Sequence, residues 1–183
     1  MTLEELIQQF NNLKNEVIDF IQKVKDHRHL GHDFHHINYG DLDDVAIAHG
    51  TVYLSGNQSN NGTIAKVTFN TELFTTEGIT WDSVNSRFTV TEAGKYLVTS
   101  IVYWGNPAVT NRYASYIYKT GTVAGRSQLQ CSIDANDLAV PVHRIVSLAV
   151  GNYIEIFAGH TNGPTSHNIS GTETYSYMSI AKV

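Results

Sequence analysis

Lys95-Tyr96-Leu97-Val98-Thr99-Ser100-Ile101-Val102-Tyr103-Trp104 is the stretch that decides the fold. Residues two apart share one face of a β-strand. Leu97, Ile101 and Tyr103 therefore fall on one side, and Val98, Val102 and Trp104 on the other. A strand that is apolar on both faces lies between two hydrophobic environments. One face fills an internal core, and the other calls for a neighbouring subunit.

Working outward, the period of two holds from Thr51 onward. The runs Ile64 to Phe69, Arg87 to Val90, Arg112 to Lys119, Ser127 to Ile133, Ala139 to Val150, Tyr153 to Ala158 and Thr174 to Val183 are rich in Val, Ile, Thr and Tyr, with Gly, Asn, Asp and Ser clusters between them. Many short strands at this spacing predict a mainly β sandwich or barrel. Gly94 ends a turn that opens the long strand, and Gly151-Asn152 reads as a two-residue hairpin turn that needs positive φ.

The other end of the chain has a different period. Leu3, Leu6, Phe10, Leu13, Val17, Phe20 and Val24 alternate spacings of three and four, the mark of a coiled coil with a repeat of about 3.5 residues. Thr2 and Glu5 form a capping box, and no Gly or Pro interrupts the segment up to Lys25. Ile7 and Ile21 widen the apolar stripe, which favours three or more strands over two. The competing reading is an amphipathic helix docked on its own domain. The next seam position is His27, with His29 two residues later, where the strands of an oligomer would converge. His32, His35 and His36 follow between the breakers Gly31 and Gly40, and His49 lies beyond the acidic tract Asp41-Leu42-Asp43-Asp44. Leu30, Phe34, Ile37, Tyr39, Leu42 and Val45 recur too regularly for a disordered linker. The segments are thus a stalk at 1–26, a His-rich neck at 27–49 and a β head at 50–183.

In an extended segment His27 and His29 point the same way, and an axial metal site is one reading of the pair. Hydrogen-bonded spacers without metal are a second, and a cluster that repels itself on protonation below ~6.5 is a third. His32, His35 and His36 are additional candidate ligands, outer partners or solvated residues. A cupin-like metalloenzyme also begins with His-x-His, but its further ligands lie on barrel strands, whereas this pair follows a helix.

Composition removes other classes. The net charge is −5, with 12 Lys and Arg among 183 residues and no basic run, which excludes a nucleic-acid or anionic-membrane surface. The single cysteine, Cys131, allows no intrachain disulfide and reads as a small core hydrophobe. Glu4, Glu5, Gln8 and Gln9 interrupt any signal-peptide-like apolar run, and no stretch approaches the ~20 apolar residues of a membrane span. Neither a G-x-S-x-G elbow, nor a phosphate loop, nor a paired-carboxylate motif occurs, so no enzyme activity is expected. Asp134 and Asp137 read as loop carboxylates, with Ca²⁺ binding as the lesser alternative. The loops 105–111 and 160–170, rich in Asn, Gly, Thr and Pro, are the candidate recognition surface.

Val67-Thr68-Phe69-Asn70-Thr71-Glu72, Ile79-Thr80-Trp81-Asp82, Arg87-Phe88-Thr89-Val90 and Glu92-Ala93-Gly94-Lys95-Tyr96 resemble the first half of the C1q/TNF-like jelly roll. Arg144 to Glu155 is similar to a later hairpin of that family, with Asn152 in place of the usual Asp, and Tyr175 to Ala181 takes the place of its closing strand. The resemblance implies a C1q/TNF-like jelly-roll sandwich head and a homotrimer. A second, shorter resemblance covers the neck: His27-Arg28-His29-Leu30-Gly31 and Ile37-Asn38-Tyr39-Gly40-Asp41-Leu42 are similar to a segment of bacteriophage fibre proteins. It implies that His27 and His29 of three chains coordinate one Fe²⁺. Six nitrogen donors suit Fe²⁺ or another octahedral first-row ion and do not suit tetrahedral structural zinc. Together the resemblances imply a trimeric phage fibre or virion appendage on a tail, baseplate or capsid, made in the host cytoplasm. Its N-terminus would meet a virion protein and its head a host-surface receptor such as a glycan. A capsid decoration protein without a receptor and a cellular C1q-like binding module are the alternatives.

Overall fold

Each even-numbered residue from Tyr96 to Trp104 is buried, whereas Leu97, Thr99, Ile101 and Tyr103 keep solvent contact on the other face. This strand runs through a computed structural model that describes residues 47–132 and 137–183, together with Lys14, Asn15, Val17 and Ile18. The chain divides into two units, Met1–Val45 and Ala46–Val183. In the first, the four described residues are helical and exposed. The rest of the heptad seam and the neck histidines His27, His29, His32, His35 and His36 lie outside the described residues.

The second unit consists of strands β1 (His49–Tyr53), β2 (Gln58–Asn60), β3 (Ala65–Lys66), β4 (Thr71–Thr75), β5 (Ile79–Asp82), β6 (Arg87–Val90), β7 (Gly94–Gly105), β8 (Arg112–Lys119), β9 (Thr122–Gln130), β10 (Asp137–Leu148), β11 (Tyr153–His160), β12 (His167–Ile169) and β13 (Tyr177–Lys182). All pairings are antiparallel. In the first sheet β7 is central, with β10 along one edge and β13 and β12 end to end along the other; β1 and β4 lie beyond β13, and β2 beyond β12. In the second sheet β11 is central, flanked by β8 and β9 on one side and by β6, β5 and the short β3 on the other.

The inward faces interdigitate as one core. Tyr96, Val98, Val102 and Trp104 of β7, Val140 and Val142 of β10 and Met178 and Ile180 of β13 meet Phe88, Tyr113, Ile117, Ile154 and Ile156 from the second sheet. Ser115, fully buried on β8, donates its hydroxyl to the carbonyl of Val140 on β10 at 2.9 Å, a polar link between the sheets. Cys131 is buried in the same core, as its composition reading required.

Two expectations need correction. Gly151 does have positive φ, at 81°, and Asn152 N–H closes the turn on Ala149 at 2.9 Å. The turn is not a hairpin, however: β10 belongs to the first sheet and β11 to the second. A Gly-Asn pair announces a reversal but not the sheet that the next strand joins, and here the chain crosses the sandwich. Asp137 is not in a loop either; it opens β10 opposite Gly105, while Asp134 is outside the described residues.

Candidate binding surfaces

The register of the first sheet sets its outward residues in rows. Tyr53, Tyr177, Ile101 and Pro141 form one; Thr51, Ser179, Thr99 and His143 the next; His49, Ala181, Leu97 and Ile145 the third. Tyr103 stacks on Tyr175 at the end of the face, with ring centroids 4.5 Å apart and planes within 8°. Phe74, 44% exposed on β4, meets the His49 ring edge-on. None of the residues in these rows is Asp, Glu, Lys or Arg. A surface without charge over three strand-wide rows is depleted in the way that subunit interfaces are. Between His49, Leu97, Thr99 and Ala181 it holds a shallow depression of about 160 Å³.

The two candidate loops meet at one end of the sandwich. Residues 105–111 leave β7 and return to β8, and 161–166 join β11 to β12, so the 160–170 range includes the short strand β12 as well as a loop. Their bases converge on a ring cluster: His160 and His167 lie edge to face with centroids 4.8 Å apart, and Trp104 and Tyr113, 5.1 Å from each other, pack against them at 5.5–5.7 Å. Hydrogen bonding fixes the His160 imidazole as neutral. The backbone N–H of Asn162 donates to His160 Nδ1 at 3.2 Å, so the proton sits on Nε2, which donates to the Asn60 carbonyl at 3.1 Å. His167 Nδ1 donates to the Asn106 carbonyl at 3.1 Å, and its Nε2 accepts from the Asn162 amide at 2.7 Å. Asn162 in turn accepts from Asn111 at 3.2 Å, which joins the two loops. The network orders the loop bases and leaves the tips, such as Asn106, Thr110 and Pro164, exposed. Sequence reading marked the loops but not this pair, because nothing in the spacing of His160 and His167 shows that Asn162 links them.

Burial holds the His160 imidazole below its ordinary value, and the neighbouring His167 acts in the same direction. A second proton on Nδ1 would face the Asn162 N–H, a donor that cannot turn away. The unfolded chain therefore binds this proton more readily than the folded one, and stability is complete above pH ~6.5 and falls as pH drops through that value. Thermal unfolding between pH 8 and pH 5 checks this: the midpoint should be flat at first and then fall, with the fall reduced in His160→Gln. An equal acid response in that variant would contradict the assignment.

Asn60 anchors the same end. Its amide donates to the carbonyls of Thr63 and Ala158, and its oxygen accepts the N–H of Gly62, all at 2.9–3.2 Å. The residue is 3% exposed, so Asn60→Ala strands buried groups and should cost about 2–3 kcal/mol in denaturant unfolding.

Among the described residues there is no group of three or more His, Cys, Asp or Glu placed to hold a metal. The residues predicted to be metal ligands, His27 and His29 with His32, His35 and His36, lie outside the described part.

The solved structures that this arrangement matches share its two-sheet topology. Eiger TNF from S. frugiperda aligns with a TM-score of 0.56 at 12% identity, over 75% of this chain and 91% of that one. Murine APRIL aligns at pH 5.0 with a TM-score of 0.54 and 16% identity, and at pH 8.5 with 0.52 and 13%, each over 74% of this chain and 99% of that one. The fold is a TNF/C1q-like jelly roll. No protein-family model matches the sequence, and no curated protein matches it. At these identities the likeness establishes the TNF-like fold alone.

Proposed function

We propose that the chain is a homotrimeric attachment protein: a phage fibre or virion appendage whose TNF-like head binds a host-surface receptor and whose N-terminal coiled coil carries it on the particle. The observation that carries the reading is the outward face of the first sheet. Its three central rows include no Asp, Glu, Lys or Arg, although the chain as a whole carries 29 charged side chains, 12 basic and 17 acidic. Covering a Leu, Ile or Tyr of such a face contributes about 1.5–3 kcal/mol each, and a closed ring of three copies covers every one of them. The heptad ladder at 3–24 supports the same stoichiometry, and three joined heads multiply a weak contact into an avidity gain of ~10²–10⁴. The exposed tips of 105–111 and 160–170 stand at one end of the head, on bases ordered by the His160 and His167 network.

The reading extends to the neck. Two imidazoles from each of three chains, His27 and His29, make one octahedral site that locks register and stoichiometry together. Elemental analysis of the purified protein should find one Fe²⁺-class ion per three chains. A metal-free trimer of equal heat stability would remove the site and leave the head intact.

The attachment role is tested on particles produced by the genome that encodes the chain. Mass spectrometry should find the chain in purified virions, and antibody against residues 50–183 should block adsorption to the host. Its absence from the particles would overturn the virion assignment. Its presence without any effect of the antibody would favour a decoration protein.

A further inference from the structure

The outward face of the second sheet has the opposite chemistry to the first. Its register sets Gln128, Ala114 and Gly159 in one row, with Tyr116 and its partner Arg126 in the row on one side and Arg112 in the row on the other. Ala114 and Gly159 are the smallest residues available, so the middle row sinks into a groove of about 180 Å³. Ile64 closes one wall so tightly that a Cβ on Gly159 would lie 3.2 Å from its Cα. This space suits a single ring rather than a drug-sized ligand, whose pockets run ~300–1,000 Å³.

No described residue of opposite charge lines the groove. Arg126 is held over the Tyr116 ring, 5.4 Å from its centroid, and donates a hydrogen bond to Gln128 Oε1. Arg112 is fixed at the backbone by a mutual pair with Thr161, whose hydroxyl accepts its N–H at 2.9 Å and whose N–H donates to its carbonyl at 3.0 Å. Neither guanidinium has a carboxylate partner among the described residues, and no acidic residue lines the groove. The nearest such candidate along β11, Glu155, is taken by Lys66 at 2.5 Å. Two guanidinia beside an amide and an apolar wall, in a chain of net charge −5, form a recognition set for a compact anion carrying hydroxyl groups.

We propose that this groove binds an acidic sugar, a pyranose ring with a carboxylate, as one residue of a surface glycan. The carboxylate meets Arg126 and Arg112, the ring hydroxyls meet Gln128 and Thr161, and the C–H face of the ring lies against Ile64 and the Ala114–Gly159 floor. The site gives the attachment reading a ligand class and rests on that reading for its biological use. It lies on the sheet opposite to the proposed trimer face.

The experiment titrates the full chain with fragments of oligogalacturonate, hyaluronate and oligosialate, and with the methyl ester of whichever binds. At least one acid should bind, with the ester at least tenfold weaker. Arg126→Ala, Arg112→Ala and the groove-filling Ala114→Leu should each lose at least tenfold, and Lys95→Ala on the other sheet should lose nothing. Three outcomes would overturn the site: no binding by any of the three acids, equal binding of acid and ester, or loss in the arginine variants with none in Ala114→Leu, which marks diffuse charge attraction. Sedimentation of the same samples reports the trimer separately, so failure of the groove and failure of the assembly are distinguishable.

Discussion

In the isolated head, Ile101→Glu should convert the proposed trimer into a folded monomer. Ile101 stands in the middle of the uncharged face, between Tyr177 and Pro141, and is half-buried in a single chain. In the monomer its side chain points away from the core, so the substitution places a carboxylate in water and leaves the β-sandwich intact. In the trimer it places three carboxylates at a dry interface, where each like-charge contact costs several kcal/mol. At 1.4 kcal/mol per factor of ten, dissociation should rise at least a thousandfold. Sedimentation at micromolar concentration with an unchanged circular dichroism spectrum is the expected record for the isolated head. The full chain keeps whatever the proposed N-terminal coiled coil contributes, so the same substitution there should loosen the heads rather than separate the chains. A head that stays trimeric with Glu at 101 would move the interface elsewhere.

Tyr113→Ala should be the most damaging single change inside the head. The ring is fully buried against Trp104, His160 and His167, and its hydroxyl accepts the N–H of Ala108 at 2.7 Å. Truncation leaves a cavity worth about 3–5 kcal/mol and strands a backbone donor in the 105–111 loop. Against a typical stability of ~5–15 kcal/mol this approaches unfolding at body temperature. Tyr113→Phe separates the two effects: it keeps the ring and loses the hydroxyl, and should cost about 1 kcal/mol. Denaturant midpoints measure both, and similar losses for the two variants would mean that the ring packing contributes little.

Periodicity carried most of the fold. The strands Arg87–Val90 and Arg112–Lys119 coincide with the runs read from sequence, and β7 extends the Lys95 to Trp104 run by one residue at each end. Elsewhere the runs and the strands differ. Strand β9 begins at Thr122, five residues before the run that sequence marks. Gly125 is buried within that strand, where a Cβ would come within 3.5 Å of both Arg144 and Ile117. His49, grouped with the neck, is the first residue of β1 and packs beside Phe74. The run Ile64 to Phe69 yields only the two paired residues of β3, with Val67 and Phe69 buried in irregular backbone beyond it.

The tyrosines show why sites are harder to read than strands. All five of Tyr113, Tyr116, Tyr118, Tyr175 and Tyr177 suit core or interface, and the structure distributes them over three places. Tyr113 is in the core, Tyr116 and Tyr118 are on the outer face of the second sheet, and Tyr175 and Tyr177 are on the outer face of the first. Parity along a strand tells which residues share a face, but not which sheet the strand joins. The apolar residues of this face were legible in Leu97, Ile101 and Tyr103 because one strand contains them. The groove was not, because Arg126, Ala114 and Gly159 come from three strands whose register no local pattern reveals.

Sedimentation equilibrium of the full chain tests the account most directly. A mass three times that of the 20.3 kDa chain, unchanged over a hundredfold range of concentration, is the predicted result. A single-chain mass at micromolar concentration would contradict it.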